Sequence, residues 1–119
     1  MALCGVKFKA HPTQEQKRVL SQWMGAGRFI YNAKVAEHEY FRTFKAHSLA
    51  LVGVPVPVDQ CYAQFKTEQT LWLKDIPSQV LRNAAYRWRE AYQRYLVGLA
   101  ERPVRKRKGN RDSVWLTSE

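Results

Sequence analysis

The sequence predicts a mainly α fold of about four helices, including a helix-turn-helix-like hairpin, with a short β-strand at each end. Two observations carry this. Apolar residues recur at three- and four-residue intervals through most of the chain, the period of a helix that buries one face. Near the two termini that period gives way to short runs with strand character. At 119 residues the chain is a single module. It divides into a strand at 3–10, a helical region at 13–100, a basic segment at 101–112 and a second strand at 113–118.

In the first strand Val6 and Phe8 alternate with Lys7 and Lys9. His11-Pro12 stops it, because proline lacks an amide hydrogen and biases its predecessor towards extended geometry. Thr13 followed by Gln16 has the form of a capping box, and Val19, Leu20, Trp23 and Met24 continue at helical spacing. Gly25-Ala26-Gly27 is expected to break that helix. A second helix then runs from about Arg28 to Ala46 on a face of Phe29, Ala33, Ala36, Tyr40 and Phe44. Helix, glycine turn, helix over 13–46 resembles a helix-turn-helix, although any antiparallel pair with a glycine turn looks alike. A core-forming hairpin is the preferred reading over a recognition helix.

The apolar stretch Leu49 to Val58 carries Pro55 and Pro57 at alternating positions, which forbids a helix and predicts an extended, packed loop. Asp59 can cap a short third helix reaching about Gln69, with Tyr62 and Phe65 inward. The fourth helix, from about Ser78 to Ala100, has the clearest seam: Leu81, Ala84 or Ala85, Trp88, Tyr92, Tyr95 and Leu99. It would extend about 35 Å at 1.5 Å per residue. Val114-Trp115-Leu116-Thr117 forms the second strand. Each terminal strand has only the other as a partner, and two short strands make a marginal sheet, so the chain reads as cut off mid-fold.

Twenty Lys and Arg against ten Asp and Glu give a net charge of +10 and a pI near 10.0. Such a balance speaks of a polyanionic partner, usually nucleic acid, rather than of fold. Six of those cations lie within ten residues: Arg102, Arg105, Lys106, Arg107, Lys108 and Arg111. Phosphate contact by this run would release counterions and give affinity without sequence information; a solvated tail is the alternative. On the fourth helix Arg82, Arg87, Arg89 and Arg94 interleave with Tyr86, Trp88, Tyr92 and Tyr95. Arginine beside exposed rings suits stacked bases, but Trp88, Tyr92 and Tyr95 also lie on the apolar seam, where they would be core.

The composition excludes several classes. Hydrophobic residues at 45% and aromatics at 13% exclude wholesale disorder. No apolar run approaches the roughly 20 residues of a membrane span, and the amino terminus lacks the basic-then-apolar order of a secretory signal. With only Cys4 and Cys61 there is no disulfide scaffold, and a cytoplasmic location is expected. His11, His38 and His47 have no ligand spacing with one another or with the cysteines, so no metal and no cofactor are expected and the histidines are read as surface or capping residues. Glu37 and Glu39 flank His38, but neighbours on a helix point apart. Asp112 beside arginines is read as an ion-pair partner. No phosphate loop or nucleophile motif is present, so no catalytic residue is assigned.

Phe8-Lys9-Ala10-His11-Pro12-Thr13-Gln14-Glu15-Gln16, then Leu20 and Gly27-Arg28-Phe29-Ile30-Tyr31-Asn32, resembles the opening of the transposon-associated TnpB (OrfB) proteins. Leu71-Trp72-Leu73-Lys74-Asp75-Ile76-Pro77-Ser78-Gln79-Val80-Leu81 resembles their next signature. Ala91-Tyr92 with Tyr95 fits the helix after it. Pro103-Val104-Arg105-Lys106-Arg107-Lys108 and Asp112-Ser113-Val114-Trp115-Leu116-Thr117 look like their basic segment and following strand. Val104-Arg105 departs from the family's usual basic residue followed by an aromatic one, and the stretch Leu49 to Val58 is unusually apolar. TnpB proteins are prokaryotic RNA-guided DNA endonucleases. The resemblance implies a wedge β-barrel interrupted by a helical recognition domain that holds guide RNA and target heteroduplex. The family's RuvC-like nuclease domain and zinc-binding insert would lie beyond residue 119, so the likeness is to the recognition half alone.

The expected function is therefore non-catalytic binding of guide RNA, DNA or both. Arg102, Arg105, Lys106, Arg107, Lys108 and Arg111 would be the main phosphate contacts, with Arg28, Arg82, Arg87 and Arg89 secondary. Two alternatives are a protein-interaction or inhibitor module and one half of a split nuclease. In the first, a protein partner or a second copy would meet the exposed strands and the loop at 49–58; no membrane is involved in either.

Overall fold

The computed structural model of the protein describes residues 13–107. Their order is helix α1 (Gln14–Tyr40), a π-helical turn (Phe41–Lys45), helix α2 (Ala46–Leu51), 3-10 segments at Ala63–Phe65 and Glu68–Asp75, and helix α3 (Ser78–Leu96). No strand occurs among the described residues, and over these the expected fold with a β-strand at each end is corrected to a helical one. A strand needs a neighbour to pair its backbone, and nothing within 13–107 supplies an extended pair. The two segments assigned to strands, 3–10 and 113–118, lie outside the described residues.

The capping box forms as its residues predict. Thr13 Oγ1 accepts from the Gln16 amide at 3.1 Å and the Thr13 amide donates to Gln16 Oε1 at 2.9 Å. From there α1 runs 27 residues without interruption, straight through Gly25-Ala26-Gly27. This overturns the helix-turn-helix-like hairpin. Each interior glycine costs a helix about 1 kcal/mol, but packing outweighs that cost here. Ala26 is fully buried, and Gly27 lies so near α3 that a Cβ on it would sit 3.9 Å from the Ala84 Cβ.

Helices α1 and α3 run parallel, since their pairings climb together. Gly27 faces Ala84, the Lys34 ammonium lies 5.0 Å from the Trp88 ring centroid, and His38 stacks on Trp88 and Tyr92. Two core clusters fill the seam. One joins Ala26 and Ile30 to Leu73, Ile76, Val80, Leu81, Ala84 and Ala85; the other joins Tyr31 and Val35 to Trp88 and Tyr92. Trp88 and Tyr92 are therefore core residues and offer no face to a base. Tyr95 is half-buried and only Tyr86 is well exposed.

Parallel helices require a crossover, and residues 41–77 make it. The stretch read as an extended loop from Leu49 to Val58 begins instead as the last turn of α2, which closes at Gly53 (φ 74°). Only beyond that turn does the chain extend, as Pro55 and Pro57 require. The third helix expected from Asp59 to Gln69 is replaced by 3-10 turns, because the Asp59 carboxylate is engaged elsewhere. It accepts from the Cys61 amide at 3.0 Å and from Lys34 Nζ at 2.7 Å. Lys34 is 2% exposed, and a second carboxylate, Glu37, lies 3.3 Å from its ammonium. This ion pair fastens the crossover to α1; a buried ammonium left without its partner would be strongly destabilising.

A continuous helix and a glycine turn respond oppositely to alanine. Replacing Gly25 and Gly27 together by alanine is expected to raise unfolding stability by about 1–2 kcal/mol in urea titrations. A loss of stability would mean that residues 25–27 form a turn.

Candidate nucleic-acid interface

Beyond α3 the chain reverses. Gly98, at φ 81°, supplies the left-handed residue that ends the helix. The Gly98 and Leu99 amides satisfy the Tyr95 and Arg94 carbonyls at 3.0 and 2.9 Å, a Schellman arrangement. Residues 101–107 then descend without regular secondary structure as a strap over the seam between α3 and α1. Three attachments hold it. Arg102 Nη2 donates to Tyr95 Oη at 3.2 Å, with the guanidinium 5.3 Å from that ring's centroid. Pro103 is buried. The Lys106 main chain meets the Asn32 side chain through two hydrogen bonds, 2.7 Å from its amide to Oδ1 and 3.0 Å from Nδ2 to its carbonyl.

Strap and helices enclose an open cleft of about 450 Å³ whose walls include Tyr31, Arg87, Arg94, Arg102, Arg105 and Lys106. Five cationic residues thus come from two segments. Arg87, Ala91 and Arg94 share one face of α3, and the small Ala91 leaves space between the arginines. Lys106 Nζ sits 4.4 Å from the Tyr31 ring centroid. Glu101 places a carboxylate on the same wall. Burial raises the Tyr31 hydroxyl above the usual phenol range, partly offset by the nearby Arg87 charge. The Arg102 hydrogen bond and charge draw the Tyr95 hydroxyl below that range.

Of the expected contacts, Arg87, Arg102, Arg105 and Lys106 are brought together here. Arg107 is exposed just beyond, and Lys108 and Arg111 lie outside the described residues. Arg28, Arg82 and Arg89 do not line the cleft; Arg82 is exposed, and Arg89 donates to Gln60 Oε1 at 3.2 Å. Arg94, which the sequence places among the arginines interleaved with rings but not among the phosphate contacts, stands seven residues from Arg87 and so on the same face. Asn32 gives no such signal, since its partner is 74 residues away.

His38 borders this region and is not the surface or capping histidine its sequence context predicts. It is 5% exposed, with its ring 4.2 Å from that of Tyr92. His11 lies outside the described residues, and His47 is exposed. Among the described residues no three His, Cys, Asp or Glu side chains cluster as metal ligands, and no helix is long and apolar enough to cross a membrane.

A small helical module with a cationic cleft is the class that fold and site define. Residues 1–40 match the family model of a helix-turn-helix domain, that of OrfB from IS605. The match supports an N-terminal helix-turn-helix region of the TnpB/OrfB (IS605) family. Domains of the helix-turn-helix class bind DNA, and the matched domain is not a catalytic one. No curated protein and no solved structure matches the chain. Within the matched region residues 14–40 are a single helix, with no turn among them.

Burial first, and then the charges of Arg42, Arg102 and Lys34, hold the His38 imidazole below its ordinary value of 6.5, against a smaller opposing pull from Glu37. A base with a depressed folded pKa takes up its proton preferentially when unfolded. Stability is therefore expected to be full above about pH 6.5 and to fall as acid approaches the folded pKa. Urea midpoints between pH 7.5 and 5 should show this decline, and His38→Gln should flatten it. Asp59 contributes in a lower window. Its desolvation is outweighed by Lys34 and the Cys61 amide, so its carboxyl sits below 3.8 and its contribution is lost only in stronger acid.

Proposed function

We propose that this protein is a nucleic-acid-binding module, without catalysis of its own, that engages phosphates through the cleft between α3 and the strap. The convergence of Arg87 and Arg94 with Arg102, Arg105 and Lys106 on one cleft carries this reading. Cations clustered on a folded surface without equal acidic company have a polyanion as their natural counterpart. DNA is the partner class that the helix-turn-helix match supports, and RNA, including a guide RNA, is the finer possibility carried by the TnpB resemblance. Arg107 at the end of the strap, with Lys108 and Arg111 after it in the sequence, would add phosphate contacts, while Arg28, Arg82 and Arg89 serve as secondary contacts. Because the aromatic rings of α3 are mostly core, phosphate rather than base contact would dominate, giving affinity with little sequence preference.

Fluorescence anisotropy with duplex DNA, single-stranded DNA and structured RNA over a salt series tests this. Five phosphate contacts predict slopes of log affinity against log salt of about −3.5 for single strands and about −4.5 for duplex. Arg87→Gln and Arg94→Gln should each weaken binding to every sequence alike and flatten the slope by about 0.7–0.9. Lys74→Gln, on the 3-10 segment outside the cleft, should change little. A slope near zero, or equal losses from Lys74→Gln, would contradict the proposal.

A second reading has one observation in its favour. Leu51, Val52 and Val54 are 73%, 72% and 45% exposed, and Phe44 on the adjoining turn is 68% exposed. An apolar edge of this kind fits a protein partner. Sedimentation velocity with Leu51→Ser/Val52→Ser as the comparison would detect self-association through it.

A further inference from the structure

The geometry points to Asn32 as the positioning residue of the interface: its side-chain amide holds the basic strap against the helices in its binding arrangement. The inference rests on the phosphate-binding reading above and deepens it. Asn32 uses Oδ1 and Nδ2 together on the main chain of one residue, Lys106, at 2.7 and 3.0 Å, and both bonds are partly buried. This reproduces what a neighbouring strand would offer, acceptor and donor in register, from a helix surface. Asparagine is an indifferent helix former because its side chain competes for backbone groups. At position 32 that tendency is turned on a distant segment.

The hold matters because the strap is under electrostatic load. Arg102, Arg105 and Lys106 line the same cleft as Arg87 and Arg94, five cations against the one carboxylate of Glu101, so like charge outweighs opposite charge along its walls. Arg102 is tied to Tyr95 close to the Gly98 turn, and Pro103 is buried next to it. The Asn32 bracket lies at the far end, where repulsion would otherwise lift Arg105, Lys106 and Arg107 away. A strap held in place before binding spares the ordering cost that a solvated tail would meet on contact with phosphate. Asn32 itself need not touch the nucleic acid.

Two readouts test this, one independent of any ligand. In the wild-type protein the Lys106 amide should exchange slowly with solvent, and Asn32→Ala should bring it to the rate of an unprotected amide. In anisotropy with a single-stranded DNA probe, Asn32→Ala should raise Kd about tenfold and flatten the salt slope, although it removes no charge. Should circular dichroism show that Asn32→Ala is unfolded, Lys106→Pro is compared with Lys106→Ala. Both lose the ammonium, only proline loses the N–H, and the proline variant should bind several-fold more weakly. Unchanged Lys106 protection in Asn32→Ala would overturn the inference. So would a Kd within twofold of wild type, or equal binding by the two Lys106 variants, while the wild-type protein still binds with a salt-dependent Kd. A wild-type protein with no salt-dependent binding would overturn the phosphate-binding reading itself, and the positioning role with it.

Discussion

The close parallel packing of α1 against α3 is the constraint on which the rest depends. Small side chains at the first contact, Ala26 and Ala84, let the helices approach, and a Cβ on Gly27 would stand in ordinary contact 3.9 Å from the Ala84 Cβ. Large rings fill the second, where Tyr31 and Val35 pack against Trp88 and Tyr92. Parallel neighbours cannot be joined by a short turn, so the whole stretch from Phe41 to Pro77 is spent on the return. Lys34 makes that return definite by donating to Asp59 of the crossover while its ammonium lies over the Trp88 ring. Burying an ammonium is costly, and the two carboxylates that meet it explain why it is tolerated.

The same packing creates the interface. At its C-terminal end α3 stops on a left-handed glycine, where the chain reverses and the strap begins. Pro103 and the Arg102–Tyr95 contact fix the near end of the strap and Asn32 fixes the far end, which leaves the cationic side chains on the outer side of the seam. Charge that is a compositional excess in the sequence becomes a located feature of the fold. The hydrophobic seam beneath and the bracket at Asn32 hold these charges in place, Glu101 offsets part of their repulsion, and an anion would relieve more of it.

Much of the helical content was legible, and the misreadings have physical causes. The Thr13–Gln16 box and the seam of α3 from Leu81 to Tyr92 depend on neighbours three or four residues apart and appear where those spacings place them, but α3 ends at Leu96 rather than Ala100 and Leu99 is exposed. The glycines at 25 and 27 misled, because a local penalty of about 1 kcal/mol each was weighed without the tertiary contact that overcomes it. Asp59 has the composition of a helix cap, but its carboxylate is taken by Lys34, which is 25 residues away. In the site, the basic run was visible as composition and Arg87 as a position. The partnership between strap and α3 was not, since it joins residues through a reversal set by Gly98 and a bond across 74 residues.

The central claim is that nucleic acid meets this protein at the cleft between α3 and the strap. The most direct measurement is an NMR titration of the ¹⁵N-labelled protein with a short DNA strand at low salt, followed amide by amide. The structure predicts shifts concentrated at residues 31–32, 87–94 and 101–107, with the surface around Phe29, Trp72 and Ile76 unmoved. Shifts centred on that apolar surface, or spread evenly over every exposed lysine and arginine, would contradict it.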